Sequence, residues 1–330
     1  DYIIPKPFDP RVLFWVSPAV AKAAMEDGVA RTELDLEEYR DRLKASQGPG
    51  MEVMQRMVSK ARRSPKRVVL PDGFSDKVLR AASQVVAEGV AVPVIIGKPA
   101  QLQARAEDLG VDLAGVEIVH PAEEDDQRAE YARALYERRN RKGMTLAEAN
   151  SLMNRAIHFA GMMVRGGDAD AMVAGIESHY PEIIRPALQV VGRAEGVRHA
   201  AGLYMIALPD KRLLFFADTT VNIDPDAETL AEIALLSAGF VKELGIEPRV
   251  AMLSFSNFGS AVHPFSDKVA RAVALIKEVA PDLEVDGEMQ ADSAVDFDLL
   301  KSNYPFANLT GPANVLVFPN LSAANTAYKL

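Results

Sequence analysis

Residues 250–261 end a short apolar run in a loop that is rich in hydroxyl side chains. The run Val250–Leu253 predicts a strand, and Ser254, Ser256 and Ser260 follow it before a helix-like segment begins. Backbone N–H groups at such a turn, with the dipole of a helix behind them, bind anions, and the hydroxyl groups add donors. An ordinary connection between a strand and a helix is the alternative, because every α/β protein has several such loops.

Cationic side chains stand at two other places. Arg138, Arg139, Arg141 and Lys142 lie at the predicted end of a helix. They suit either the negative end of the helix dipole or an arginine fork for a phosphate or carboxylate. Arg185 follows a strand that exits through a glycine, and it suits either a ligand cleft or a surface ion pair.

Acidic and amide side chains follow two later strands. Asp286, Glu288 and Asp292 can bind a metal ion, act as acid or base groups, or form a plain acidic loop. Asn320 can contact a ligand or cap a helix. No dinucleotide fingerprint, P-loop, zinc-protease motif or nucleophile elbow is present, so motifs alone assign neither nucleotide binding nor hydrolysis.

Composition narrows the class of protein. The chain has 330 residues, 48% apolar and 25% charged, which is typical of a globular protein of two domains. A net charge of −9 disfavours nucleic acid or an anionic membrane as the main partner. The absence of cysteine excludes disulfides, thiolate catalysis and cysteine-ligated metals. No apolar run approaches the length of a membrane span and no signal peptide is visible, so we expect a cytoplasmic protein.

From residue 51 onward, predicted strands alternate with helices, which indicates sheets covered on both faces. We expect Ser75 to cap one helix and Thr145 another, and Leu203–Ala207 to pair with Leu213–Ala217. The prolines within residues 1–10 disfavour regular structure, and residues 46–50 are a predicted linker. Because the chain starts without methionine and stops in a helix-like segment, we expect a longer polypeptide.

Five ordered blocks resemble the phosphate acetyl/butyryltransferase family. They are Asp170–Gln189, Leu214–Ala234, Val250–Ala261, Leu283–Ala294 and Ala313–Leu330. The first residues, Asp1–Arg11 and Ser17–Ala21, resemble the end of the catalytic part of bacterial NADP-dependent malic enzymes. Large hybrid malic enzymes carry a phosphotransacetylase-like domain at the C-terminus, and the sequence resembles that domain with a tail of the malic part attached.

The resemblance implies an α/β fold with two subdomains, mixed sheets and an interdomain cleft, similar to the isocitrate/isopropylmalate dehydrogenase architecture. It implies a malic tail and linker at 1–50, subdomain I at 51–193 plus 312–330, and subdomain II at 194–311. Family members are dimers, so the resemblance also implies a homo-oligomer.

The family's substrates, acetyl phosphate and coenzyme A, meet in that cleft. The resemblance places a CoA ester or phosphate next to two arginines, a serine/glycine loop, an acidic loop and one amide. These residues are Arg139, Arg185, Ser256, Asn257, Gly259, Ser260, Asp286, Gln290, Asp292 and Asn320. The catalytic residues of the family lie downstream of its Tyr-Lys-Leu, where this sequence stops, so none is assigned here.

One departure favours regulation over catalysis. Where the family has histidine and hydroxyl residues ahead of its Arg-Pro-Ala, this sequence has Glu177, Tyr180, Pro181 and Glu182. A carboxylate there repels an acyl phosphate. The leading hypothesis is a regulatory domain that binds acetyl-CoA or a related ester, with no cofactor of its own. NADP and Mg²⁺ or Mn²⁺ would then bind the catalytic part of the same polypeptide. The alternatives are an active phosphate acetyltransferase and a purely structural dimerisation module.

Overall fold

The computed structural model describes residues 10–46 and 49–330. The predictions for residues 1–9, and those for residues 47 and 48 of the proposed linker, lie outside this range. The helices and strands, in chain order, are α1 (Pro10–Glu26), α2 (Leu36–Ser46), α3 (Pro49–Arg63), β1 (Lys66–Leu70), α4 (Asp76–Glu88), β2 (Ala91–Ile96), α5 (Pro99–Leu109), β3 (Glu117–Val119), α6 (Asp125–Arg139), α7 (Leu146–Leu152), α8 (Ala156–Gly166), β4 (Ala171–Met172), α9 (Tyr180–Val190), β5 (Leu203–Ala207), β6 (Leu213–Ala217), α10 (Ala227–Glu243), β7 (Val250–Leu253), α11 (Pro264–Val279), β8 (Val285–Met289), α12 (Ala291–Val295), α13 (Phe297–Asn303), β9 (Val315–Val317) and α14 (Leu321–Ala327).

The chain divides into two compact units. Arg56–Val197 forms one, called here the continuous unit. The described residues up to Gln55 join Arg198–Leu330 in the other, the discontinuous unit. The predicted boundary between 193 and 194 therefore lies four residues before the observed one.

The continuous unit is built on a parallel four-stranded sheet in the order β3-β2-β1-β4. Successive side chains of a strand point to opposite faces, and β2 shows this clearly. Ile95 belongs to an apolar cluster with Leu79 of α4 and Leu102 of α5. Val94 and Ile96 belong to a second cluster, which includes residues of α6 and α8. Helices therefore cover both faces, as the alternation of strands and helices predicts.

The discontinuous unit contains a mixed five-stranded sheet in the order β5-β6-β9-β7-β8. The hairpin of β5 and β6 is antiparallel, as predicted, and the other neighbours are parallel. Val315 and Val317 of β9 join a cluster with α10 and α11, whereas Leu316 joins one that includes residues of α13 and α14.

The placement of β9 corrects one sequence prediction. Residues 312–330 were expected to complete subdomain I. The structure instead pairs Val315–Val317 with both β6 and β7, in the middle of the second sheet. A short, fully apolar strand fits the centre of any parallel sheet, so its own pattern does not reveal which sheet it joins.

Caps place the loops that follow the strands. Thr145 accepts a hydrogen bond from the backbone of Glu148 at 3.1 Å, which confirms the predicted cap of α7. Ser75 occupies the N-cap position of α4, but its side chain makes no capping hydrogen bond, so that part of the prediction is wrong. Gly73, in the same loop, has no room for a side chain, because an added Cβ would lie 2.4 Å from the carbonyl oxygen of Ile96.

The parallel strands of each sheet direct their carboxyl ends to one edge, so the loops that follow them gather there. Within the ranges that the structure describes, no helix is long and apolar enough to cross a membrane.

Candidate functional site

The loop after β7 holds a buried carboxylate from its own chain. Glu288 of β8 is 4% exposed. Its Oε1 accepts hydrogen bonds from Ser256 Oγ at 2.9 Å and from the Gly259 N–H at 2.6 Å. Burying a carboxylate is costly unless such donors compensate for the lost water. Donors that the sequence offered to an external anion therefore already bind an anion of the protein.

The other polar groups of this loop bind one another. Ser260 Oγ accepts a hydrogen bond from the Asn257 N–H at 2.9 Å, and Asn257 Oδ1 accepts one from the Gln290 N–H at 2.7 Å. The Gln290 side chain donates to a backbone carbonyl of the loop at 2.7 Å. The structure thus brings Ser256, Asn257, Gly259, Ser260 and Gln290 together in a network that fixes the loop. Contact of this network with a ligand stays a prediction.

Three further predicted ligand residues have structural partners. The buried Asp286 accepts a hydrogen bond from the Asn308 N–H at 2.6 Å and so anchors the segment after α13. Asp292 is exposed, and its carboxylate accepts the N–H of the next residue at 2.8 Å. Asn320 caps α14 through the N–H three residues later at 2.9 Å. Their ligand roles also stay predictions.

The loop after β6 repeats this arrangement. Asp218 is 3% exposed. Its two carboxylate oxygens accept backbone N–H groups of Gly202, Thr220, Val221 and Asn222 at 2.7–3.1 Å. Two strand-end loops of the discontinuous unit are therefore each filled by an internal carboxylate.

In the continuous unit, Arg139 ends α6 next to a short 3₁₀ turn at Asn140–Lys142. Its side chain is half-buried, and among the described residues it has neither a hydrogen bond nor an ion pair. The neighbouring Arg138 has a lowered pKa because of burial first and then Arg165 and Arg139. Several cations thus lie close together with little compensating charge, a situation that favours a bound anion.

The segment after β4 begins with two backbone N–H groups, of Gly175 and Ile176, that donate to the Asp72 carboxylate at 2.8 and 3.2 Å. The helix α9 then starts at Tyr180. Glu182 stands in its first turn, and its carboxylate accepts the His179 N–H at 3.0 Å. Negative charge is favourable there because it complements the helix dipole. This helix end is therefore occupied by a carboxylate of the chain.

A pocket of about 730 Å³ lies between these elements, within the continuous unit. Its polar and charged lining comes from α8, α9 and the loops beside them. The residues of that lining are Asp72, Glu148, Arg155, His158, Ser178, Glu182, Arg185 and Gln189. Arg185 and Glu182, both singled out from the sequence, share this pocket, whereas Arg139 does not line it. Within the described part of the chain, the guanidinium groups of Arg155 and Arg185 have no hydrogen bond or ion pair.

His158 is the least exposed polar group of the pocket, at 5% exposure. Its Nδ1 is buried without a hydrogen-bond partner among the described residues. The pKa of His158 is lowered mainly by burial and further by Arg155, while a hydrogen bond with Gln189 raises it. The ring is therefore neutral at pH 7, and it gains a proton readily only if a negative charge arrives.

Sequence reasoning missed Arg155 and His158. Histidines were treated as scattered, yet His158 interrupts an otherwise apolar helix that carries Phe159, Met162 and Met163 in the core. A polar side chain on the buried face of a helix was the available signal. No group of three or more potential metal ligands occurs in residues 10–46 and 49–330.

Comparisons with known proteins agree with this geometry. The family model for phosphate acetyl/butaryl transferase matches residues 52–330. A phosphate acetyltransferase of Clostridium acetobutylicum is 37% identical over 85% of the chain and 86% of its own length. The solved structure of a phosphotransacetylase from Staphylococcus aureus superimposes with a TM-score of 0.77, at 35% identity, over 84% of each chain.

A second group of relatives matches the whole chain. The NADP-dependent malic enzyme of Escherichia coli K12 is 42% identical over 100% of the chain, which spans 44% of that enzyme. The resemblance read from the sequence blocks is therefore confirmed. The chain belongs to the phosphate acetyl/butaryl transferase family.

Proposed function

We propose that this chain is the C-terminal regulatory domain of an NADP-dependent malic enzyme, that it binds acetyl-CoA or a related CoA ester as an allosteric effector, and that it supports oligomerisation. The observation that carries the proposal is the extent of the match. Malic enzyme relatives cover all of the chain, including the residues before 52 that lie outside the family model. The reaction regulated would be the oxidative decarboxylation of malate to pyruvate, carried out elsewhere in the polypeptide with NADP and a divalent metal ion.

The pocket of Arg185 supports binding without acetyl transfer. Arg185 offers an uncompensated guanidinium group, which suits a phosphate of a CoA ester. Glu182 lines the same pocket, next to the place where an acyl phosphate would need hydroxyl donors. Two like charges 4 Å apart near a surface cost about 4 kcal/mol, or roughly three powers of ten in affinity. An acyl phosphate in contact with Glu182 is therefore disfavoured.

The test measures malate oxidation by the intact polypeptide with and without acetyl-CoA. Coupling between an effector site and an active site is typically about 1–3 kcal/mol, so acetyl-CoA should change the apparent malate affinity about 5–150-fold. Replacing Arg185→Ala should weaken the acetyl-CoA response about 10–100-fold in effector concentration, because a charge-assisted hydrogen bond contributes about 1.5–3 kcal/mol. Arg133→Ala, an exposed arginine of α6 outside the pocket, is the matched control. A wild-type enzyme that ignores saturating acetyl-CoA would refute the proposal.

The second candidate is a working phosphate acetyltransferase. Two observations favour it, the similarity to the Clostridium enzyme over most of both chains and the uncompensated Arg139 and Arg185. A coupled assay of acetyl-CoA formation from acetyl phosphate and CoA decides between the two. Sustained turnover by the intact protein would replace the regulatory proposal with this one.

A further inference from the structure

The pocket between α8 and α9 combines three features that bear on one ligand. Two guanidinium groups, Arg155 and Arg185, line it without a partner in the described chain. His158 lines it as well, 95% buried, with an unpaired Nδ1. A buried polar atom without a partner is uncommon in folded proteins and calls for a group that completes it.

The acidic lining of the pocket is largely engaged by the protein. The Asp72 carboxylate accepts two backbone N–H groups, of Gly175 and Ile176. The Glu182 carboxylate accepts the N–H of His179. Glu148 is the remaining carboxylate of the lining, and it lies exposed in the first turn of α7, where the helix dipole favours it. The open valences of the pocket are therefore those of the two arginines and the histidine.

The other side of α8 brings no charge toward His158. There α6 and β1 contribute Leu135, Val69 and Tyr131 to the shared apolar cluster, and β4 packs Met172 against it. Tyr131 is the titratable group of that side. Its pKa is raised by burial first and then by its hydrogen bond to Asp168, so Tyr131 stays neutral. The charged groups that face His158 are thus the five of the pocket, Asp72, Glu148, Arg155, Glu182 and Arg185.

We propose that this pocket is an oxyanion site, for a phosphate-like or sulfate-like group, in which Arg155 and Arg185 bind the anion and His158 takes up one proton as it binds. The site rests on the proposed function only for the identity of its natural ligand. An incoming anion removes the unfavourable charge balance that keeps the imidazole neutral, and the protonated ring gains a second donor for the anion. Anion affinity is therefore highest at low pH and falls as the pH rises through the range where the bound histidine loses its proton.

Sulfate is the probe, because it does not titrate between pH 5 and 8, and chloride at equal ionic strength is the control. The intact chain, labelled at its five histidines, is titrated by NMR with and without sulfate. His158→Gln assigns the His158 signal. We expect saturating sulfate to raise the pKa of His158 by about one unit or more, which makes sulfate bind about tenfold tighter at pH 6 than at pH 8. An unchanged pKa for His158 under saturating sulfate would overturn the proposal.

Exposed-residue variants keep the test independent of folding defects. Arg155→Ala removes an exposed side chain, and it should weaken sulfate binding at pH 6 about tenfold or more, whereas the control Arg133→Ala should not. Equal effects of the two variants would count against the site. Acetyl-CoA added to the same samples separates the two proposals. If sulfate raises the His158 pKa but acetyl-CoA neither binds nor displaces sulfate, the oxyanion site stands and the CoA-ester function fails.

Discussion

Replacing Ser256→Ala tests whether the loop after β7 is filled by Glu288 or free for a ligand. Ser256 is fully buried, and its hydroxyl donates to Glu288 Oε1 at 2.9 Å while accepting the Ala261 N–H at 3.1 Å. The variant loses a hydrogen bond to a charged group, which contributes about 1.5–3 kcal/mol, and leaves a backbone N–H without its acceptor. We expect the free energy of unfolding to fall by about 3 kcal/mol.

The assay is thermal and urea unfolding of the intact chain, followed by circular dichroism. A loss of about 3 kcal/mol corresponds to a fall of roughly 6–12 °C in the melting temperature of a domain of this size. Ser254→Ala is the matched control from the same loop. Its hydroxyl accepts a single long hydrogen bond, from the Ser256 N–H at 3.3 Å, so its cost should stay below about 1 kcal/mol.

The reasoning fails if Ser256→Ala unfolds like the wild type yet binds acetyl-CoA or phosphate more weakly. That result would mean that the hydroxyl serves a ligand and that Glu288 does not depend on it. A large loss of stability in Ser254→Ala, equal to that of Ser256→Ala, would show that the loop responds to any serine substitution and would also refute the assignment.

Three further predictions concern stability. Asp218→Asn should cost about 3 kcal/mol or more, because an amide nitrogen would replace an oxygen that accepts N–H groups, whereas exposed Asp224→Asn should cost under about 1 kcal/mol; urea unfolding of both variants compares them. Gly73→Ala should lower the melting temperature strongly, by about 3 kcal/mol or more in stability, because its Cβ meets the backbone oxygen of Ile96; normal melting would contradict this. Since the folded-state pKa of His158 is lowered, the unfolded chain binds more protons, so stability should be complete above about pH 6.5 and fall as the pH drops below it. His158→Gln should flatten this dependence in unfolding measured from pH 7 to pH 5, and an unchanged slope would contradict the assignment.

Local patterns predicted most of the elements. The apolar runs at Val250–Leu253 and Leu213–Ala217 are strands, and Thr145 caps its helix, since each of these depends on neighbouring residues. The placement of Val315–Val317 depends instead on partners far away in the chain, and three apolar residues do not encode which sheet they enter. The same limit moved residues 312–330 to the wrong unit.

The candidate sites show the limit at the level of side chains. Asp286 and Glu288 were read as one acidic cluster, but Asp286 anchors the Asn308 segment and Glu288 enters the serine loop. The sequence indicates an anion-binding loop correctly in kind, because its donors do hold a carboxylate. Whether that carboxylate belongs to a ligand or to the next strand depends on the register of β8 against β7, which no local pattern gives.

The position of β9 has a consequence for the order in which the molecule is made. It is the last of the described strands in the chain, and it lies between β6 and β7, at the centre of its sheet. During synthesis, β6 and β7 therefore emerge long before the strand that joins them, and at about 5–20 residues per second this interval lasts several seconds. Until then both present unpaired edges and apolar faces, which attract other nascent chains. A chain interrupted before residue 315 would keep those edges permanently, so quality control of truncated products should act most strongly on this half of the protein.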